Sequence, residues 1–224
     1  MSDEANTPPA LQTRVLLVDD HDLFRTGLRN LLEEQGVQVV GECDNGTDAL
    51  RAVREVAPDV VVMDLNMPGI SGVEATRQIS MIAPLTRVLV LTISDQDSDV
   101  MDAILAGACG YLLKDSSITE LISGIQAAAV GESLVSPAIA SKVLQRIRAS
   151  SVSAYEAELI QSELSDREIE VLKLIANGKD NGMIALELHI SPKTVKNHIS
   201  NILMKLQINN RIQAAVYAVR SGIV

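Results

Sequence analysis

A short apolar run that ends in an aspartate constrains the fold of this chain more than any other feature. Four apolar residues, mostly β-branched, begin at Val60 and lead directly into Asp64, and Pro68 and Gly69 then break the chain. Such a run predicts a strand buried on both faces of a parallel sheet. Ligands of open α/β sheets bind beyond the carboxyl ends of the strands, so Asp64 is expected where chemistry is placed. Alone, this acid could be a nucleophile, a metal ligand or a helix cap.

Similar apolar runs alternate with helical patterns through the first 131 residues. The predicted strands are residues 14–20, 37–42, 60–64, 87–92 and 110–114, and the predicted helices are one ended by Gly36 and then residues 45–56, 72–83, 97–106 and 118–130. The first helix is expected to bury one face made of Leu23, Phe24, Leu28, Leu31 and Leu32. This alternation predicts an α/β fold, a doubly wound five-stranded parallel sheet with helices on both faces.

Polar residues end several of these strands and are expected to meet at one edge of the sheet. They are Asp19, Asp20, Asp64, Thr92 and Lys114. Three crowded carboxylates repel one another and require a cation, and oxygen ligands without His or Cys favour Mg²⁺. A lysine and a threonine hydroxyl suit phosphoryl oxygens, so the set makes sense as a phosphoryl-transfer site. Each residue taken singly also fits an ordinary role as a cap, a turn residue or a solvated strand end.

The last 61 residues predict a small all-helical domain. Helices are expected at residues 166–177 and 181–189, from the cap at Ser191 onward, and at 211–221, the last with Ile212, Ala215, Val216 and Val219 facing inward. The second and third helices, joined through residues 189–191, form a helix-turn-helix. The third carries lysines and amides on its polar face, which could enter the major groove of DNA or simply be solvated.

Charge is distributed unevenly along the 224 residues. Residues 1–160 hold 11 Lys and Arg against 23 Asp and Glu, a net charge of −12, whereas residues 161–224 hold 8 against 6, a net charge of +2. This split suggests different partners for the two halves. No run approaches the roughly 18 apolar residues of a spanning helix, and Cys43 and Cys109 lack metal-ligand spacing. We therefore expect a cytoplasmic protein that makes no use of the membrane.

The order of the three acids, Thr92 and Lys114 along these strands resembles the pattern of the receiver domain of two-component response regulators. That domain has a CheY-like fold. The resemblance implies that Asp64 accepts phosphate from a histidine kinase. It also implies that Mg²⁺ is bound by Asp19, Asp20, Asp64 and the backbone carbonyl of Asn66. Thr92 and Tyr111 would form a switch pair in which the hydroxyl moves to the phosphate and the ring follows inward. Asp115 departs from the pattern, because many receivers have proline after the lysine.

Residues 164–172 and 191–203 resemble the LuxR-type DNA-binding domain, so the whole chain resembles the NarL/FixJ family of response regulators. By position, Lys196, Asn197 and Ser200 would face bases. The residues nearer the DNA backbone would be Lys193, Thr194 and Lys205. The preceding helix departs from the family, which commonly has basic residues where Gly182 and Leu186 stand here. Fewer phosphate contacts predict weaker binding, so dimerisation on paired half-sites could be needed.

These resemblances divide the chain into a disordered N-terminus (1–13), a receiver (14–131), a linker with a short helix (132–163) and a DNA-binding domain (164–224). The implied function is a phosphorylation-switched transcription regulator, not an enzyme, whose partners are a histidine kinase, double-stranded DNA, a second copy of the chain and, as a further candidate, RNA polymerase. Two alternatives remain open. One is a regulator whose receiver only docks and is never phosphorylated. The other is an aspartyl-nucleophile phosphatase, which usually has a second acid where Asn66 stands.

Overall fold

Five parallel strands form one sheet in the N-terminal part of the protein. The computed structural model describes residues 13–94, 96–132 and 164–224. The strands are β1 (Arg14–Val18), β2 (Gln38–Cys43), β3 (Val60–Met63), β4 (Arg87–Thr92) and β5 (Gly110–Leu113). They pair in the order β2-β1-β3-β4-β5, and every pairing is parallel. The predicted doubly wound sheet is confirmed.

Five helices cover the two faces of this sheet. They are α1 (Asp22–Glu34), α2 (Gly46–Val56), α3 (Gly72–Ile82), α4 (Asp97–Ala106) and α5 (Ile118–Ala129). Val60 and Val62 of β3 pack with residues of α1 and α5, whereas Val61 and Met63 pack with α2 and α3. Because successive side chains of a strand point to opposite faces, a strand covered on both sides must be apolar throughout, as β3 is.

Helix α1 buries a narrower stripe than the sequence predicts. Leu28 and Leu32 are buried, and Phe24 packs partly against them. Leu23 is 89% exposed and Leu31 is 47% exposed, so the predicted burial of these two leucines was wrong. At 3.6 residues per turn, position 23 lies far around the helix from the stripe through 24, 28 and 32, and position 31 lies at its margin.

Four helices form the C-terminal domain: α6 (Asp166–Ala176), α7 (Asn181–Glu187), α8 (Pro192–Lys205) and α9 (Arg211–Arg220). Ser165 starts α6 with a capping box closed by Glu168, and Ser191 caps α8 with proline at its first position. A shared core includes Leu172, Ile184 and Val195. The predicted all-helical domain is confirmed. No helix within the described ranges is long and apolar enough to cross a membrane, and the expected linker helix and N-terminus fall outside those ranges.

Candidate functional site

Asp19, Asp64 and Lys114 meet where β1, β3 and β5 end. The ammonium nitrogen of Lys114 lies 2.7 Å from Oδ2 of Asp19 and 3.0 Å from Oδ2 of Asp64. Asp64 is 2% exposed and Asp19 is 5% exposed. Burial alone would lower the pKa of Lys114, but the hydrogen bonds that its ammonium donates to Asp19 and Asp64 outweigh burial and hold that pKa above its ordinary value. The lysine is therefore charged and partly neutralises the two buried acids.

The backbone fixes the direction of the Asp64 side chain. Its Oδ1 accepts a hydrogen bond of 2.8 Å from the amide of Leu65, and its own amide donates to Val18 of β1. Helix α3 begins tightly beneath it: a Cβ built on Gly72 would lie 1.9 Å from the carbonyl oxygen of Asp64. Only glycine permits this approach, so the turn after β3 places Asp64 with little freedom.

A cluster of potential metal ligands surrounds this carboxylate. Oxygen atoms of Asp19, Asp20 and Asp64 and a nitrogen of His21 all lie within 4.8 Å of one another. His21 Nδ1 is 2.9 Å from Asp20 Oδ1 and 3.3 Å from Asp19 Oδ1. Three carboxylates fit a hard divalent cation such as Mg²⁺. His21 was not among the residues predicted from the sequence, although it directly follows the two predicted acids. Asn66 is exposed in the loop after β3, between the buried Leu65 and Met67.

Thr92 and Tyr111 both contact Ser94, in the loop that follows β4. The amide of Ser94 donates to the Thr92 hydroxyl over 3.4 Å, and the Tyr111 hydroxyl donates to the Ser94 carbonyl oxygen over 2.8 Å. Thr92 and Tyr111 are both fully buried. The tyrosine ring thus already occupies the inward position that the family resemblance assigns to the switched state. Ser94 carries no motif, so only the structure identifies it as the link between the pair.

The residues expected to read DNA lie on helix α8. Lys196, Asn197 and Ser200 are exposed on it, as is Lys193 near its N-terminus. Thr194 is half-buried, and its amide donates to the capping hydroxyl of Ser191.

Lys205 at the end of α8 is engaged inside its own domain, where its ammonium lies 2.7 Å from Oε2 of the buried Glu168. Burial would raise the pKa of Glu168, but its hydrogen bonds with Lys205 and Ser165 prevail and lower it. Any contact of Lys205 with DNA must compete with this pair.

Helix α9 packs against α4 of the sheet domain and so joins the two domains. Val216 is buried in one cluster with Tyr111 and Ile104, and Ile212 and Val219 pack against that cluster. These three side chains, predicted to face the core of their own domain, cover the other domain instead. The inward positions within the helical domain are taken by Ala214 and Ala218, with Ala215 partly buried there as predicted. Because α9 is buried on two faces, it has no single apolar stripe, and the sequence pattern did not show which face packs against which domain.

Two buried amide side chains complete this interface. Gln213 donates to the carbonyl oxygens of Ile104 at 2.9 Å and Leu105 at 3.2 Å, and Asn210 donates to Ala108 at 2.9 Å. The last carbonyls of a helix are incompletely paired by the helix itself. Ile104 also accepts from the Gly107 amide over 3.0 Å, and the helical domain supplies additional donors at the end of α4. We call Asn210 and Gln213 the amide clamp. Neither was predicted from the sequence, because each also fits the role of an ordinary helix-start residue.

The sheet domain also lies beside the predicted DNA-reading face of α8. Ser200 and Leu203 of α8 line a cavity of about 220 Å³ whose opposite wall includes Pro84, Arg87 and Gly107. Arg87 reaches across it to the carbonyl oxygen of Asn209. Part of the predicted DNA-reading face of α8 is therefore turned toward the other domain.

Comparisons with known proteins agree over nearly the whole chain. Residues 15–126 match the response regulator receiver domain, and residues 162–218 match the bacterial regulatory proteins of the luxR family. The transcriptional regulatory protein LiaR of Bacillus subtilis is 46% identical over 94% of this chain and 99% of its own length. The response regulator GacA of Pseudomonas aeruginosa is 39% identical over 94% of this chain and 97% of its own.

Solved structures give the same picture. The response regulator ChrA of a heme-sensing two-component system is 34% identical, with a TM-score of 0.52 over 95% of this chain and 99% of that one. A structure of two RcsB dimers bound to two parallel DNAs is 27% identical, with a TM-score of 0.56 over 93% of this chain and 98% of that one.

Proposed function

Because this chain belongs to the NarL/FixJ family of LuxR-type two-component response regulators, we propose that phosphorylation of Asp64 controls how it presents helix α8 to DNA. The observation that carries the proposal is the position of Lys114 between two buried carboxylates. A buried acid held by its backbone beside a fixed cation is suited to accept a phosphoryl group, since such transfers depend on positioning and charge neutralisation.

In the proposed transfer, an Asp64 carboxylate oxygen attacks the phosphorus of a kinase phosphohistidine. The phosphorus–nitrogen bond breaks, the imidazole leaves, and an acyl phosphate remains on Asp64. Lys114 moves its hydrogen bond from Asp64 to a phosphoryl oxygen. Asp19, Asp20, Asp64 and the Asn66 carbonyl would hold Mg²⁺, which when bound neutralises charge on the phosphoryl group. The carboxylate cluster supports this assignment.

The signal would reach the DNA-binding domain through Ser94 and α4. When the Thr92 hydroxyl turns to the phosphoryl group, it gives up the hydrogen bond from the Ser94 amide. Ser94 lies three residues before the start of α4, and its carbonyl oxygen also accepts from Tyr111. A shift of this loop would move α4 against α9 and weaken the amide clamp. Phosphorylation thus shifts the population from a closed arrangement, with Ser200 facing the receiver, to one that admits DNA.

DNA binding in the open form is proposed to involve two copies of the chain. Exposed Leu186, Met183 and Gly182 leave α7 without basic side chains at these positions, so one domain makes few phosphate contacts. Two copies on half-sites about one helical turn apart would gain from effective concentration. A relative bound to DNA as dimers supports this stoichiometry.

Beryllofluoride, which mimics a phosphoryl group on an aspartate, tests the proposal. Solution mass by light scattering and DNA affinity by fluorescence anisotropy are measured with and without the mimic and Mg²⁺. We expect a larger mass and tighter DNA binding in the wild type, and neither change in Asp64→Asn. A wild type that binds no mimic would refute the phosphoacceptor assignment. Mimic binding without a change in DNA affinity would refute the coupling to α8.

A further inference from the structure

The Lys114 ammonium has an aromatic neighbour in addition to its two carboxylates. It lies over the ring of Phe24, 4.8 Å from the centroid. Phe24 belongs to α1, which begins three residues after Asp19, and the lysine side chain is only 10% exposed. A cation at this distance from an aromatic face is attracted to it, more strongly where water is excluded. The ring is therefore part of the environment that holds the lysine.

The ring can hold the ammonium in a way that the two carboxylates cannot. An ammonium group has three donors, and the carboxylates of Asp19 and Asp64 account for two hydrogen-bond partners. Both of those partners change character when a phosphoryl group and a cation arrive, because their oxygens acquire new ligands. The Phe24 ring face acquires no new ligand and keeps its character. Its attraction is also less directional than a hydrogen bond, so it tolerates a small swing of the ammonium from Asp64 to a phosphoryl oxygen.

The ring itself is held firmly. Phe24 is half-buried and packs against the core cluster that contains Leu28 and Leu32 of the same helix. The next residue, Arg25, donates to the carbonyl oxygen of Asp19 over 2.5 Å, which ties the start of α1 to the end of β1. Phe24 is the one phenylalanine among the 224 residues. A rigid ring beside a flexible lysine can reduce the conformations that the lysine samples.

We propose that Phe24 is a positioning residue that keeps the Lys114 ammonium at the phosphoacceptor throughout phosphoryl transfer. The inference rests on the proposed function of Asp64 and adds to it a residue that touches neither phosphate nor metal. It acts only through Lys114. Loss of the ring weakens the phosphoryl-bound state and its formation, while binding of the divalent cation alone changes little.

Five variants of the full chain test this role. Phe24→Leu removes the ring but keeps an apolar side chain, and Phe24→Tyr restores an aromatic face. Ile122→Ala serves as a packing control, because Ile122 is half-buried against the same cluster from α5. Lys114→Ala and its combination with Phe24→Leu complete a double-mutant cycle. The readouts are beryllofluoride affinity with saturating Mg²⁺, the rate of phosphoryl uptake from phosphoramidate, Mg²⁺ affinity and melting temperature.

We expect Phe24→Leu to lower both mimic affinity and uptake rate by about three- to tenfold, as for a partly desolvated cation–π pair. Phe24→Tyr should stay within about twofold of wild type on that same basis. In the Lys114→Ala background, the leucine substitution should have no further effect.

Equal mimic affinity in wild type and Phe24→Leu would overturn the inference. So would an equal loss in Phe24→Leu, Phe24→Tyr and Ile122→Ala, since that pattern reports packing alone, and so would an undiminished loss without Lys114. A wild type that binds Mg²⁺ but takes up neither the mimic nor phosphate would refute the Asp64 assignment itself, and the role of Phe24 with it.

Discussion

The Gln213 side chain of the DNA-binding domain donates a hydrogen bond of 2.9 Å to the carbonyl oxygen of Ile104, near the C-terminal end of α4 in the receiver. Both groups are buried. The Ile104 carbonyl also accepts from the Gly107 amide over 3.0 Å, and Gln213 reaches the next carbonyl of the last turn, that of Leu105, over 3.2 Å. One side chain therefore completes a receiver helix and anchors the neighbouring domain. A shift of α4 is therefore expected to change the stability of the closed form, in which the two domains are in contact.

Replacing Gln213 should shift the protein from the closed to the open arrangement without phosphorylation. Gln213→Ala removes the two hydrogen bonds to the carbonyls of Ile104 and Leu105, which together contribute about 1–3 kcal/mol to the closed form. We expect higher DNA affinity without the phosphoryl mimic and a larger radius of gyration by small-angle X-ray scattering. Gln126→Ala, at an exposed site on α5, is the control and should change neither. Unchanged basal DNA affinity in Gln213→Ala would show that the clamp does not restrain α8.

Asp64→Asn should abolish phosphoryl uptake while preserving the fold. The amide keeps the shape of the side chain and can still accept from the Leu65 amide, but it is no nucleophile. Phosphate-affinity gel electrophoresis after incubation with a small phosphoryl donor measures uptake, and circular dichroism checks the fold. Uptake that persists on another residue in Asp64→Asn would remove Asp64 from its proposed role.

Lys196→Ala should weaken DNA binding and leave phosphoryl uptake unchanged. Lys196 is exposed on α8, and loss of a base contact costs about 1–3 kcal/mol, or roughly 5- to 150-fold in affinity. Lys173→Ala removes an equal charge from an exposed site on α6 and controls for the general electrostatic effect. If both variants lose the same affinity, α8 is not the reading helix.

The pair between Glu168 and Lys205 should make the DNA-binding domain sensitive to acid. Hydrogen bonds lower the pKa of Glu168 in the folded protein. Its ionised form therefore contributes stability above the unfolded pKa of about 4.3, and this contribution is lost as pH falls through the lower folded pKa. Thermal melts from pH 7 to 3 should show wild type and Glu168→Gln converging in acid. Glu170→Gln, at an exposed site, should differ from wild type in melting temperature by the same amount at every pH. The same constant difference for Glu168→Gln would argue against a stabilising pair with Lys205.

The sequence identifies the strand-end residues because a parallel sheet gathers the ends of its strands at one edge. The order of the apolar runs was enough to predict that Asp19, Asp64 and Lys114 lie together. In the structure, hydrogen bonds join them. Ser94 and Phe24 could not be assigned in this way. Ser94 acts through backbone atoms that any residue possesses, and Phe24 has the pattern of a core residue whether or not a lysine lies over it.

The domain interface was also beyond the reach of periodicity. Val216 fits the core of its own domain as well as that of its neighbour, and only the docked arrangement distinguishes the two. The amides of Asn210 and Gln213 carry no pattern for long-range contacts, since their acceptors lie more than 100 residues away in the chain. Local sequence specifies each domain, whereas their contact depends on surfaces formed after both have folded.

Tyr111 and Val216 share one buried cluster, and in the proposed mechanism this contact sets the balance between the closed and open forms. The phosphoryl group can shift the balance only by its differential free energy for the two arrangements. Each methylene added or removed where Val216 meets α4 therefore alters basal output and the input needed for half-maximal response, without any change at Asp64. Substitutions at this contact offer a way to adjust the response threshold and dynamic range while the chemistry of signal reception stays constant.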